Sequence, residues 1–315
     1  MNSFLVSVNA VFPFLFYLFF GYCLRALRIA DEDILNRVNK IIFVAFFPFT
    51  MFNNVRNMEM DIQACTSLVF ISLLTLTVLL VGINLVVPLF VKENAKRGVI
   101  IQALYRSNIL LYALPLAECL FGKEGLSIAS IVVALCVPVY NVVAIVVLEY
   151  YRGSRPTLFV LIKKVIQNPL LQGTILGLIF SLFDISLPNS LDPCVKSISS
   201  ITTPLALMVL GGTTKISSIQ KNKKYIIPTL VFKMIIFPAI ALCAGLLFGL
   251  RNVELFSFFL LFATPVAVAS YSMACNMGGE GALAGELVSI STIVSIFTLF
   301  LWIWIMTYTQ LIYPI

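Results

Sequence analysis

The sequence predicts an all-α polytopic membrane protein with ten transmembrane helices, and three observations predict it. Of the 315 residues, 60% are hydrophobic and 11% charged, whereas a water-soluble domain carries about 25% charged residues. Apolar stretches of about 20 residues, each long enough to cross roughly 30 Å of hydrocarbon, recur along the whole chain, whose mean hydropathy is +1.03. The breaks between them are short and hold most of the charge, which leaves no sizeable soluble domain.

In chain order, the first span covers 4–24 and stops at the basic pair Arg25 and Arg28. That long run leading into a basic loop argues against a cleaved signal segment. The second covers 34–54 and ends before Arg56; the third covers 66–91, bounded by Lys92 and Lys96. The fourth (97–121) ends before Lys123, and the fifth (126–149) ends before Arg152. The sixth, seventh and eighth cover 168–184, 191–213 and 225–249, and the seventh is the least hydrophobic. The ninth (253–276) begins after Arg251, and the tenth covers 283–308.

Basic residues orient these spans. Loops after odd-numbered spans hold thirteen Lys and Arg and loops after even-numbered spans hold four, which puts the odd loops in the cytoplasm by the positive-inside rule. Both termini then face outward. The net charge of +7 is accounted for by this topology and calls for no nucleic-acid partner. The longest cytoplasmic loop falls in the middle, so the chain divides into a first five-helix repeat at 1–149, a linker at 150–167 and a second repeat at 168–315. Five is odd, so the second repeat enters the membrane from the opposite face and the two are inverted. Pro48 in FVAFFPFTMFNN is echoed by Pro204 in SITTPLALMVLGG, and RSN of the fourth span by ATP of the ninth.

The fourth and ninth spans carry polar and helix-breaking residues at mid-depth. In YRSNILLYALP these are Arg106, Ser107, Asn108 and Pro115; in ATPVAVASYS they are Thr264, Pro265 and Ser270. Proline removes a helical hydrogen bond, and freed backbone groups in a bilayer are tolerated only inside protein or beside a wet cavity. Matched interruptions in two halves point to a midplane binding site; a plain proline kink is the structural alternative. Arg106 and Lys233 each lie nine residues beyond a basic residue at the cytoplasmic edge, Arg97 and Lys224. That is about 13 Å along a helix. A cation at that depth is either functional or snorkels back to the headgroups. Glu118, Glu149 and Glu286 all read as near span ends, so the core holds cations and neutral dipoles with no evident carboxylate. That balance suits an anionic ligand, since helix N-termini also favour negative charge. An anion leaving an interior-negative cell gains about 2.3 kcal/mol per charge per 100 mV, so efflux needs no ion partner.

Several classes are disfavoured. The chain has no histidine, and its seven cysteines are scattered without paired spacing, which argues against a metal site, a disulfide framework or a cofactor. An intramembrane enzyme would need a nucleophile with its base, or two facing aspartates; Asp184 and Asp192 lie at a loop instead.

Nearly the whole chain resembles the auxin efflux carrier family, the bacterial relatives of the plant PIN carriers. The resemblance runs in order through LFFGYCLRALRIADEDILNRVNKIIFVAFFPFTMF, SNILLYALPLAECLFG, VPVYNVVAIVVLEY, NPLLQGTILGLIFSLFDISLP, TTPLALMVLGGT, ATPVAVASYSMA and STIVSIFTLFLW. It implies a bile-acid-symporter/PIN-like fold with crossed broken helices 4 and 9. Helices 1, 2, 6 and 7 would form a scaffold that pairs into homodimers, and helices 3–5 and 8–10 a transport part. It further implies a secondary carrier of small organic anions, such as a carboxylate or auxin-like acid, in the plasma membrane, working by an elevator or rocking motion. Asn108 falls on the family's crossover asparagine, Pro265 on its second crossover proline, Asn141 on its helix 5 asparagine, and Lys233 with Pro238 on a basic-then-proline pattern. Ser107 stands where many relatives have proline, implying a less unwound first crossover; Ile109, Leu110 and Ala113 also depart from the usual Thr, Gly and Gly. Hydrogen bonds to substrate are expected from Ser107, Asn108, Thr264, Ser270 and backbone amides near Pro115 and Pro265. Arg106 and Lys233 would supply positive potential. Tyr112 either lines the cavity or packs, and Asn141 either touches substrate or braces the crossover. The alternative function is a sensor or scaffold that keeps the fold without transport.

Overall fold

The computed structural model describes residues 3–57, 66–152, 159, 162–163, 166–213 and 216–313, and among them the chain is helical, with short turns between helices. The first half contains α1 (Ser3–Ala26), α2 (Glu32–Ile41), a π-helical turn (Ile42–Phe46), α3 (Phe47–Arg56), α4 (Thr66–Phe90), α5 (Asn94–Tyr105) and α6 (Ile109–Tyr151). The second contains α7 (Pro169–Leu182), α8 (Asp192–Thr213), α9 (Ile216–Val231), a second π turn (Phe232–Ile236), α10 (Phe237–Leu247), α11 (Asn252–Ala263), α12 (Ala269–Met277) and α13 (Gly281–Tyr308). Six of the described helical runs are long and apolar enough to span a membrane, and Phe12–Ala26, Pro169–Leu182 and Asn252–Ala263 are shorter apolar helices. Most of the central linker, with Arg155 and Lys164, lies outside the described residues, as do Cys65 and Lys215.

Local chemistry sets the boundaries. Asp31 caps α2 by accepting from the Ile34 amide at 2.8 Å, and Asn168 caps α7 from the Leu170 amide at 3.0 Å, with Pro169 in the first turn. Glu280 caps α13 through the Leu283 amide at 2.7 Å. Each satisfies one amide that a helix start leaves free. Within α6, Gly122 breaks the helix at φ 60°, ψ −144°, a conformation open only to glycine. It separates the fourth span from the fifth where the sequence predicts a boundary.

The two π turns were not read from sequence. Each precedes a Phe-Pro pair, Phe47-Pro48 and Phe237-Pro238, and the Phe amide reaches five residues back, to Ile42 and Phe232. Proline lacks an amide and crowds the carbonyl four residues earlier, so an extra residue in the turn relieves the strain. The Met234 carbonyl, left without its partner by Pro238, accepts from the Trp302 indole at 3.1 Å. The backbone feature at Pro48 thus recurs at Pro238. Pro204, its expected echo, sits inside the uninterrupted α8.

Packing is tightest in two places. The α1–α8 contact rests on Gly21 and Gly211: a Cβ at either would stand 1.9 Å from a carbonyl oxygen, of Met208 or Leu18. The α3–α7 contact rests on Gly173, where a Cβ would stand 2.2 Å from the Pro48 oxygen. Small residues let helices approach closely where lipid offers no hydrophobic drive for association. The outer surface is apolar instead: Phe19, Phe70, Leu85 and Phe297 are 64–68% exposed, as a lipid-facing surface requires.

Gly211→Ala is expected to lower unfolding stability in detergent by about 2–3 kcal/mol, the cost of overpacking a tight contact. Gly82→Ala, with nothing within 4 Å of the added carbon, should be neutral or stabilising by up to about 1 kcal/mol through helix propensity. Thermal unfolding of the two variants measures the difference.

Candidate functional site

Both broken helices stop at the same place in the interior. α5 ends at Tyr105, and Arg106, Ser107 and Asn108 are non-helical before α6 starts. α11 ends at Ala263, where Thr264 takes an extended conformation (φ −74°, ψ 152°), as the residue before a proline prefers. The second break then runs through residue 268, so the first is shorter, three residues against five. The two breaks pair as antiparallel strands. Asn108 N–H donates to the Pro265 carbonyl at 2.8 Å, Ala267 N–H donates to the Arg106 carbonyl at 3.2 Å, and Ser107 stands opposite Val266. Val266 N–H is taken by the Ser291 hydroxyl at 3.1 Å.

A cavity of about 450 Å³ lies against this crossing. Arg106, Ser107, Asn108 and Asn141 line it, and so do the first residues of α6 (Ile109–Leu111) and the start of α12 (Val268, Ala269). Two helix N-termini, each with free amides and a partial positive charge, therefore open into one space. The facing wall comes from α1, α3 and α8, with Phe14, Tyr17, Asn53, Asn54, Ser199 and Thr203. Sequence reasoning did not select that wall, although its signals were present in the NN at the end of the second span and the Ser/Thr run before Pro204. A second cavity of about 420 Å³ adjoins the first, sharing Asn53, Asn54 and Leu110 and adding Asn57, Lys123 and Ser130.

Both deep cations turn inward. Arg106 is 3% exposed and donates to Asn141 Oδ1 at 2.6 Å, beside the Met273 sulfur. Asn141 is held in turn by the Thr174 hydroxyl at 3.3 Å. Lys233 is 1% exposed, and its ammonium donates to the Ser107 hydroxyl. Neither guanidinium nor ammonium reaches toward headgroups, and the π turn around Lys233 is what aims that side chain. The remaining expected residues stand elsewhere. Tyr112 is buried with its ring stacked on Phe14 at 5.1 Å, the packing alternative for this aromatic. Pro115 lies within α6, past the break. Thr264 and Ser270 are buried with hydroxyls lacking a hydrogen-bond partner among the described residues, and neither they nor Pro265 line the cavity.

One expectation is corrected. The interior does contain a carboxylate: Glu286 is 1% exposed. It lies in the second turn of α13 and is covered by α9, which brings Asn222 to it at 2.9 Å. Distance from a charged loop misled here, because tertiary packing buries the residue.

The cavity mouth carries a charge cluster. Arg56 donates to Asn53 at 2.9 Å and pairs with Asp192, which also pairs with Lys196 at 2.7 Å.

A polytopic helical protein with an interior cavity at two crossed, interrupted helices has the build of a membrane transporter. Comparison with known proteins agrees: residues 6–303 match the family described as membrane transport protein, and the chain belongs to this family, the auxin efflux carriers. It is a family of transporters and not of enzymes. The chain is also 23% identical over 314 residues to an uncharacterized transporter of Methanocaldococcus jannaschii, the alignment covering 96% of this chain and 99% of that protein.

Asn141→Ala removes the acceptor of a charged donor, and unfolding stability in detergent should fall by about 1.5–3 kcal/mol.

Proposed function

We propose that the protein is a secondary carrier for a small organic anion, a carboxylate or auxin-like acid, that works by alternating access around the crossing. The observation that carries this is the charge at the crossing: Arg106, held only by neutral partners, lines the cavity beside two helix N-termini, and Lys233 lies behind the lining on Ser107. An anion entering there would find positive potential from both sources.

The halves 1–149 and 168–315 act in this reading as inverted five-helix repeats giving ten spans, joined by a cytoplasmic linker. The reciprocal glycine contacts support it: the first span packs on the seventh and the second on the sixth, the relation that exchanging the two halves would generate. α1, α2–α3, α7 and α8 then form the scaffold, through which two copies pair in the plasma membrane with their termini outside. The cavity opens toward Asn53 and Lys196. At the other end the parts are tied together, Ser272 donating to Asn39 Oδ1 at 2.6 Å and Tyr271 sharing a hydrogen bond with Thr213 at 2.7 Å. Under the positive-inside orientation this is an outward-open arrangement.

The test is saturable uptake of labelled succinate and indole-3-acetate in everted vesicles. Arg106→Gln, with expression retained, should weaken apparent affinity at least about tenfold, the effect of losing one charge-assisted contact. Asn108→Ala should lower flux. Unchanged affinity in the first and undiminished flux in the second would remove both residues from the site. Ligand-dependent thermal stabilisation without flux of either anion would favour a sensor that keeps the fold.

A further inference from the structure

The cavity side of the crossing leaves a second polar seam unused, and it lies on α13. Glu286 is 1% exposed; its Oε2 accepts from Asn222 Nδ2 at 2.9 Å, and its Oε1 is buried without a partner. Among the described residues no cation lies within ion-pair distance of it. One helical turn on, the Ser289 hydroxyl is also buried without a partner. Thr292 and Ser295 follow at the same spacing of three. Their hydroxyls donate to the Val288 and Thr292 carbonyls of α13 itself, at 2.8 and 2.7 Å, and the Tyr112 hydroxyl is buried without a partner. Between Ser289 and Thr292, Ser291 holds the Val266 amide of the crossing. From Glu286 to Thr292 the seam advances about 9 Å along the helix.

An ionised carboxylate with one neutral amide partner in a low-dielectric interior is costly, and an ionisable group inside a membrane is by default a functional one. The charged groups on neighbouring elements do not relieve it. Lys221, Lys223 and Lys224 flank Asn222 on α9 and are exposed. On α1, Arg25 is paired with Glu32 at 3.1 Å. On α5, Lys96 is paired with Glu93 at 2.8 Å, and Arg97 is spent on the Val91 carbonyl. Tyr271 of α12 is engaged with Thr213, and Lys233 with Ser107.

We infer that Glu286 is a proton-binding site that exchanges with water at the Asn222 end, on the helix whose Ser291 holds the crossing. In the loading step Oε1 takes a proton from hydronium, giving a carboxylic acid and water, while the Asn222 amide keeps donating to Oε2. The Ser289 hydroxyl, the next along the helix, is buried and has no partner of its own. No metal or cofactor enters. That the proton accompanies an anion rests on the carrier reading; that Glu286 binds it does not.

The test uses the full-length protein in lipid nanodiscs. Infrared difference spectra between acid and alkaline buffer should show a carboxylic-acid C=O band that is absent in Glu286→Gln and displaced in frequency in Asn222→Ala. Spectra identical in wild type and Glu286→Gln would overturn the assignment, and a folded Asn222→Ala with an undisplaced band would count against the pairing. In vesicles, saturable succinate flux should respond to pH on the Asn222 side in the wild type, with that response flattened in Glu286→Gln. A band that titrates without flux of any tested carboxylate would keep the proton site and sink the carrier. Flux without the band would do the reverse.

Discussion

Two backbone hydrogen bonds, Asn108 N–H to Pro265 and Ala267 N–H to Arg106, hold the centre of the molecule together. A helix interrupted alone inside hydrocarbon would leave amides and carbonyls without partners, each costing several kcal/mol. Two helices interrupted at the same depth can spend those groups on each other. The break in one therefore fixes where the other must break. Proline at 265 favours the extended Thr264 of the second interruption, and the non-helical stretch from Arg106 to Asn108 is its counterpart. Everything polar near the midplane, including Lys233 on Ser107 and Ser291 on Val266, is organised around that pairing.

The rest of the fold sorts by how its contacts are made. α1 against α8 and α3 against α7 meet through glycines, backbone to backbone, with no side chain to rearrange. Between these helices and the parts around the crossing, side chains make the contacts: ring packing such as Phe14 on Tyr112, and the hydrogen bonds of Ser272 to Asn39, Tyr271 with Thr213 and Asn141 with Thr174. Such bonds between membrane helices average about 0.6 kcal/mol, while a close-packed seam resists any displacement.

What was legible in the sequence follows from the same physics. Apolar length and the clustering of charge at span ends gave the helices close to their observed limits, because the bilayer imposes both. Pro265 and the RSN run marked the crossing because lipid forbids such residues in an isolated helix. The π turns were hidden, since a proline in a membrane helix predicts strain without saying whether a kink, an extra residue or an indole will absorb it; Pro204 and Pro238 differ in just this way. The scaffold wall of the cavity was hidden too, because Asn53 and Ser199 acquire a role only from what faces them. Glu286 was misjudged for the complementary reason: its distance along the chain from the loop is short, but α9 covers it.

The placement of charge links these observations. Arg106 and Lys233 sit on the crossing against an amide and a hydroxyl rather than a carboxylate. A carboxylate beside them would satisfy both in the resting protein, and any ligand would then have to displace it, a step that costs more in low dielectric than the Coulomb term suggests. The one buried carboxylate described on α13 is instead held by Asn222, apart from either cation. Separation leaves the positive potential of the crossing uncancelled by this carboxylate. Opposite charges that would ordinarily neutralise one another are kept apart in the interior, an arrangement that is costly in a low-dielectric medium.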